Sequence, residues 1–195
     1  MKILFKITIL ILVLNIISTS CKKDVADPTV DCSTSSSRDI EGFFNALHSS
    51  SSYELYETMD LLTHEYTFTT ANDIQICGFG YKSQGTHLFY TIELEGTGGI
   101  LYSSDLSFDD TAYDYISVPP ITITAGTYTL RRTLINGTSE TDVIGPITRG
   151  TGSVDPTFPI SLGGGISIDS ADFYGSGGPV PNYGVPNIYF EYIEL

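Results

Sequence analysis

From about Tyr53 to the C-terminus, the chain alternates between apolar and polar residues with a period of two. The clearest runs are rich in β-branched and aromatic residues and lie at 65–69, 73–81, 87–95 and 127–135. A period of two places successive side chains on opposite faces of a strand, so that one face is buried and the other meets solvent. Because roughly ten such segments follow one another at a spacing of about 8–12 residues, residues 51–195 are predicted to form an all-β, antiparallel β-sandwich.

Three local signals refine this prediction. Asn136-Gly137 is a strong turn signal and predicts a hairpin between 127–135 and 138–147. Pro119-Pro120 predicts a sheet edge or a corner, because proline cannot donate to a neighbouring strand. Arg131-Arg132 lie next to each other in one predicted strand, which places one guanidinium on each face, and the inward one needs an acidic partner.

The first 20 residues have the pattern of an export signal. Lys2 and Lys6 precede an apolar run at 7–17, which is too short for a bilayer span of about 20 residues. The following Ser18-Thr19-Ser20-Cys21 resembles the lipobox of bacterial lipoproteins, and this resemblance implies cleavage before a lipidated Cys21. The alternative is ordinary secretory cleavage near Ser20, which leaves Cys21 as a plain thiol.

The chain after this signal begins as many lipoproteins of the Bacteroidota do. The residues that carry the resemblance are Lys22-Lys23-Asp24. They imply a protein of the outer membrane, on either its periplasmic or its outer side. The whole chain has 9 Lys and Arg against 23 Asp and Glu, a net charge of −14. Such acidity excludes nucleic acid as a partner and leaves the lipid as the only means of membrane attachment.

A polar, Ser/Thr-rich segment at 21–37 is predicted to be a flexible tether. At 38–50, the apolar residues Ile40, Phe43, Phe44 and Leu47 are spaced i, i+3, i+4 and i+7, and this spacing predicts a short amphipathic helix packed on the sheet.

Two further cysteines, Cys32 in the tether and Cys77 in a predicted strand, have no partners at metal-site spacing. In an oxidising compartment they can form a disulfide that ties the tether to the domain. The alternative is a buried, inert Cys77 with an exposed Cys32.

Two segments of the β domain resemble a known family. Ile76–Tyr81 and Pro120–Tyr128, with the aromatic closing run at 187–191, are similar to an uncharacterised jelly-roll-like β-sandwich domain of secreted bacterial proteins. That domain is often attached to carbohydrate-active or adhesive modules. The resemblance implies a binding or structural module and brings no catalytic residues with it.

Catalytic signals are sparse, so no enzyme activity is predicted. The chain has three histidines and no G-x-S-x-G elbow. Glu93 and Glu95 lie two residues apart on one strand face, about 7 Å from each other, which is compatible with the acid pair of a glycoside hydrolase. Acidic residues on the solvent face of a sandwich are the preferred alternative.

Aromatic and acidic residues near loops supply the candidates for binding. A tyrosine ring can stack on a sugar while neighbouring polar groups bind its hydroxyls. The predicted ligand-binding residues are Tyr174, Tyr183, Tyr113, Tyr115 and Asn182. The acidic segment with Asp109, Asp110 and Asp114 is a possible Ca²⁺ site, since this ion takes six to eight oxygen ligands, or a solvated loop.

Together these features predict a lipid-anchored, non-catalytic β-sandwich that binds a ligand, plausibly a glycan, at its loops. A structural or adhesion protein that contacts an envelope or host protein is the alternative, and a glycoside hydrolase-type enzyme is the third interpretation.

Overall fold

The structure is a computed structural model that describes Cys32 and residues 38–59, 62–85, 88–135, 144–175 and 178–195. The predicted signal peptide (1–20), Cys21, most of the tether, His87 and the Asn136-Gly137 turn therefore lie outside the described residues.

The described residues form fourteen strands and one short helix. The first elements are β1 (Arg38–Asp39), α1 (Glu41–His48), β2 (Tyr53–Met59), β3 (Thr63–Thr70), β4 (Ile74–Tyr81), β5 (Tyr90–Gly96), β6 (Gly99–Leu106) and β7 (Asp114–Ile123). The others are β8 (Gly126–Leu134), β9 (Ile144–Gly150), β10 (Ile160–Gly163), β11 (Ile166–Gly175), β12 (Gly178–Pro181), β13 (Val185–Pro186) and β14 (Tyr189–Glu194).

All strand pairs are antiparallel, and the strands form three sheets. A seven-stranded sheet has the order β10-β11-β3-β8-β5-β6, with β12 paired to β11. A four-stranded sheet has the order β1-β14-β4-β7, and a three-stranded sheet has the order β13-β9-β2. The predicted fold class, an all-β antiparallel sandwich of about ten or more strands, is confirmed.

Aromatic side chains from the two larger sheets meet in the core. The ring of Phe68 on β3 lies 5.1 Å from that of Phe190 on β14, and both residues are fully buried. Tyr66, also buried, donates a hydrogen bond from its hydroxyl to the carbonyl oxygen of Ile188 at 2.8 Å. Because a buried hydroxyl without a partner is costly, this bond fixes how the closing strand approaches the seven-stranded sheet.

The helix lies within the predicted range and buries the predicted stripe. Ile40 and Phe44 are fully buried, while Phe43 and Leu47 are partly buried against the core. The ring of Phe44 lies 5.2 Å from that of Tyr189 on β14. Apolar burial, rather than helix propensity, therefore stabilises this eight-residue helix, which is too short to be stable alone.

The predicted hairpin between 127–135 and 138–147 is wrong. β8 pairs with β3 on one edge and with β5 on the other, so neither edge is open to a further strand. β9 pairs instead with β2 and β13 in the three-stranded sheet. The two proline residues Pro119-Pro120 lie within β7, and β7 is an edge strand of the four-stranded sheet, as predicted.

A disulfide joins Cys32 to Cys77, with the two Cα atoms 5.8 Å apart. Cys77 is buried in β4, and the side-chain amide nitrogen of Gln75 lies 3.3 Å from the Cys32 sulfur. The bond attaches the predicted tether, at Cys32, to the four-stranded sheet. None of the helical segments that the structure describes has the length and apolar character needed to cross a bilayer.

Candidate functional site: the polar face of the seven-stranded sheet

The outer face of the seven-stranded sheet carries a continuous set of polar side chains, which we call the polar face. It arises because alternate residues of β3, β5 and β8 point away from the core, while most of their neighbours are buried. Its members are Thr63, Glu65, Thr67 and Thr69 of β3, Thr91, Glu93 and Glu95 of β5, Thr127, Thr129, Arg131 and Thr133 of β8, and Asp172 and Tyr174 of β11.

Strand register places four charged residues in one row across this face. Asp172 lies opposite Glu65, Glu65 lies opposite Arg131, and Arg131 lies opposite Glu93. Neighbouring strands are about 4.8 Å apart, so each charged side chain reaches the next one. Across the sheet the row reads acid, acid, base and acid, so it has an excess of negative charge.

Arg131 is the centre of an ion-pair network. Its Nε lies 2.5 Å from Glu65 Oε2, and its terminal nitrogens lie 3.3 Å from Glu93 Oε2 and 3.5 Å from Glu95 Oε2. Partial burial lowers the pKa of Arg131, but its hydrogen bonds and charge interactions with Glu65 and Glu93 together outweigh this effect and raise the pKa. The guanidinium thus holds three carboxylates in fixed positions on a surface that solvent still reaches.

Tyr174 extends the network to the next strand. Its hydroxyl donates to Glu65 Oε1 at 2.8 Å, so that each oxygen of Glu65 has its own partner. Partial burial and this hydrogen bond raise the pKa of Tyr174 to about 12. Partial burial and the nearby charge of Glu65 also raise the pKa of Asp172. Tyr174 is the member of the predicted ligand-binding set that lies on the polar face.

Threonine hydroxyls flank the charged row on both sides. Hydrogen-bonded pairs between β3 and β8 are Thr63–Thr133 at 3.1 Å, Thr67–Thr129 at 3.2 Å and Thr69–Thr127 at 2.9 Å. Since the strands are straight neighbours in one register, these hydroxyls form regularly spaced rows of donors and acceptors.

The opposite face of the same strands packs into the core. Arg132 is fully buried, and its guanidinium lies 5.1 Å and 5.0 Å from the ring centres of Tyr81 and Tyr90. His64 is also buried, with its ring 4.7 Å from that of Phe173. The prediction that Arg131 and Arg132 point to opposite faces is confirmed, and the inward side chain is packed into the core.

The other predicted tyrosines have contacts within the fold. The ring of Tyr113 lies 4.7 Å from that of Tyr189, and its hydroxyl accepts a hydrogen bond from Asn187 at 3.3 Å. The hydroxyl of Tyr115 donates to Glu41 of α1 at 3.0 Å. Tyr115 therefore joins the helix to the four-stranded sheet, Tyr113 packs against the start of the closing strand, and both lie away from the charged row.

The loop before β13 holds the remaining two candidates. Asn182 adopts a left-handed backbone conformation with φ of 57° and its side-chain oxygen accepts a hydrogen bond from the amide of Ala171 at 3.1 Å. The ring of Tyr183 lies 3.9 Å below the guanidinium of Arg149 on β9. In these contacts Asn182 shapes a turn and Tyr183 supports a buried arginine.

The three aspartates of the possible calcium site do not come together as a cluster of metal-ligating side chains. Among the described residues, no three His, Cys, Asp or Glu side chains approach closely enough to hold a metal ion, and Asp109, Asp110 and Asp114 are all described. Asp109 instead accepts hydrogen bonds from the amide and hydroxyl of Thr111, at 2.6 Å and 2.5 Å. These bonds lower the pKa of Asp109, while Asp114 begins β7 opposite Tyr81.

Sequence reasoning found part of the polar face. It placed Glu93 and Glu95 on one strand face and named Tyr174 as a binding residue. It did not predict that Glu65 and Arg131 lie next to them and bind them. The pattern that indicates this face is a threonine or a charged residue at every second position of β3 and β8. In the structure, both glutamates are ion-pair partners of one arginine.

Comparison of the chain with protein-family models, with curated proteins and with solved structures finds no match.

Proposed function

We propose that this chain is a lipid-anchored cell-envelope protein whose β-sandwich binds a neutral glycan through the polar face and catalyses no reaction. The observation that carries the proposal is the row formed by Asp172, Glu65, Arg131 and Glu93, with Tyr174 bonded to Glu65. This arrangement offers fixed carboxylate and hydroxyl groups beside an aromatic ring, on a partly exposed sheet.

The chemistry of the face favours an uncharged polyol. Sugar hydroxyls donate to carboxylates and exchange hydrogen bonds with threonine hydroxyls. The polar face carries the carboxylates of Glu65, Glu93, Glu95 and Asp172 against the single guanidinium of Arg131, and this excess of negative charge repels an anionic glycan. Because the ion pairs hold the side chains in place before binding, little conformational entropy is lost when a ligand arrives.

The binding test uses the full chain, kept in a zwitterionic detergent that carries no sugar, on an array of neutral and anionic polysaccharides. Tyr174→Ala is expected to weaken binding to a neutral glycan roughly tenfold, since an aromatic contact contributes about 0.5–1.5 kcal/mol beyond its buried area. Glu93→Gln is expected to weaken it further, and Glu57→Gln, an exposed residue of β2, is the matched control. The absence of binding to every polysaccharide on the array would refute the proposal.

The lipid anchor is a separate part of the proposal and rests on the sequence around Cys21. Cells that express the wild-type chain are expected to incorporate radiolabelled palmitate into it. Cys21→Ser should lose the label and move the protein from the membrane fraction to the soluble fraction. A wild-type chain without label would contradict this part while leaving glycan binding open.

A contact with another protein is the second candidate, and the exposed edge of the seven-stranded sheet favours it. β6 is the last strand of that sheet, and Ile100 and Leu101 on it are 59% and 47% exposed. Open edges of this kind can pair with a strand of another chain. Leu101→Lys should abolish crosslinks to an envelope protein if this edge is the contact, and unchanged crosslinks would exclude the edge.

A further inference from the structure

A cleft opens at the end of the three-stranded sheet, where β2 begins and β9 ends. Its volume is about 340 Å³, at the lower end of the range of roughly 300–1,000 Å³ for small-molecule sites. The lining residues are Ser51, Ser52, Tyr53, Gly150, Thr151, Val154, Asp155, Pro156 and Thr157.

Backbone hydrogen bonds hold both walls of the cleft. The amide of Thr151 donates to the carbonyl of Ser52 at 3.1 Å, and its hydroxyl donates to the carbonyl of Ser51 at 2.9 Å. Gly150 and Val154 exchange amide-to-carbonyl hydrogen bonds at 2.9 Å and 3.1 Å. These bonds close the turn after β9 and tie it to the start of β2, so the cleft is formed before any ligand binds.

The acid of the cleft is positioned by a buried arginine. Asp155 Oδ1 lies 2.5 Å from a terminal nitrogen of Arg149, whose side chain is only 6% exposed, while that of Asp155 is 65% exposed. The guanidinium lies 3.9 Å from the ring centre of Tyr183 and 5.2 Å from that of Tyr56. Two aromatic rings therefore fix the arginine, and the arginine fixes one oxygen of the carboxylate.

The remaining groups of the cleft suit a ligand with several hydroxyls. In the part of the chain that the structure describes, no hydrogen bond engages the hydroxyls of Ser51, Ser52 or Thr157. Tyr53 adds a half-buried aromatic ring to the wall, and Asp155 offers its second oxygen as an acceptor. We infer that the cleft binds a single neutral sugar or a similar polyol, as a site separate from the polar face.

The test is a set of ¹⁵N–¹H spectra of the full chain in the same sugar-free detergent. The probes are glucose, galactose, mannose and N-acetylglucosamine, with glucuronate and glucosamine as anionic and cationic comparisons. At least one neutral sugar is expected to shift the amide signals at 51–53, 151–155 and 157 and to leave those of Glu65 and Arg131 unmoved. A site on the polar face gives the reverse pattern, so this test and the array test fail independently.

Variants identify the groups that bind. Asp155→Asn is expected to reduce the affinity at least tenfold, because it removes a charged acceptor. Thr157→Val removes one hydroxyl without touching Arg149 and should reduce it severalfold, which keeps the inference testable if Asp155→Asn unfolds the chain. Glu57→Gln, on β2 outside the cleft, is the control. No shifts with any neutral sugar, shifts with glucosamine only, or a Thr157→Val affinity equal to wild type would overturn the inference.

Discussion

Replacing Arg131 by methionine tests whether the polar face is a preorganised network. Methionine keeps an unbranched apolar stem but removes the charge that holds Glu65, Glu93 and Glu95. The pair with Glu65, whose side chain is 13% exposed, is a charge-assisted hydrogen bond worth about 1.5–3 kcal/mol. The two more exposed pairs contribute about 0.2–1 kcal/mol each. The free energy of unfolding should therefore fall by about 2–5 kcal/mol.

The assay is urea denaturation of the full chain, followed by circular dichroism because the sequence contains no tryptophan. Arg38→Met is the control, since among the described residues Arg38 pairs only with Glu194, and its side chain is 55% exposed. That control should cost no more than about 1 kcal/mol. Pairing Arg131→Met with Glu65→Gln in a double-mutant cycle isolates the coupling between the two side chains.

The network predicts a large coupling and a clear salt effect. The cycle should give a coupling of at least about 1 kcal/mol, and the part due to Glu95 should weaken in concentrated salt because exposed charges are screened. An Arg131→Met cost equal to that of Arg38→Met, together with no coupling to Glu65, would refute the reasoning. The polar face would then be a set of independent side chains.

Three further predictions concern stability. Reducing the disulfide, which closes a separation of 45 residues, should lower the free energy of unfolding by about 4 kcal/mol in chemical denaturation. Burial, followed by the charge of Arg132, lowers the pKa of His64 well below 6.5. Below about pH 6.5 the unfolded chain therefore binds a proton that the folded chain does not, and the free energy of unfolding should fall by up to about 1.4 kcal/mol per pH unit. His64→Phe should flatten this slope. Gly80→Ala places a Cβ 2.6 Å from the Tyr115 ring and should cost about 1–3 kcal/mol in thermal unfolding, whereas Gly98→Ala, with open space around it, should be near neutral.

The faces of the strands were predictable because side-chain alternation is a local property. Glu93 and Glu95 must share a face wherever β5 lies in the sheet, and Arg131 and Arg132 must point to opposite faces of β8. The amphipathic stripe of Ile40 and Phe44 likewise fixes which side of α1 is buried. For these residues, the local sequence alone determines which face of the strand or helix each side chain occupies.

The neighbours of each strand were not predictable, because strand pairing is decided by contacts far apart in the chain. Asn136-Gly137 predicted a hairpin for β8, yet β3 and β5 occupy both of its edges. Tyr183 was predicted to bind a ligand, yet its ring lies against Arg149. The sequence around a tyrosine does not show whether its ring contacts a ligand, a guanidinium or another ring.

The position of the few cations determines which ligands the surface accepts. From residue 51 onward the chain has 4 Lys and Arg and 18 Asp and Glu. Arg132 and Arg149 are buried and Arg131 is shared by three carboxylates, so little positive charge on the outside balances the acids. A neutral glycan has no charge to be attracted or repelled, and its affinity should be insensitive to ionic strength. A basic protein partner would associate more slowly and bind more weakly as salt increases. Measuring the affinity of whatever binds at low and high salt therefore separates the two proposed functions: a steep loss with salt would count against a neutral glycan.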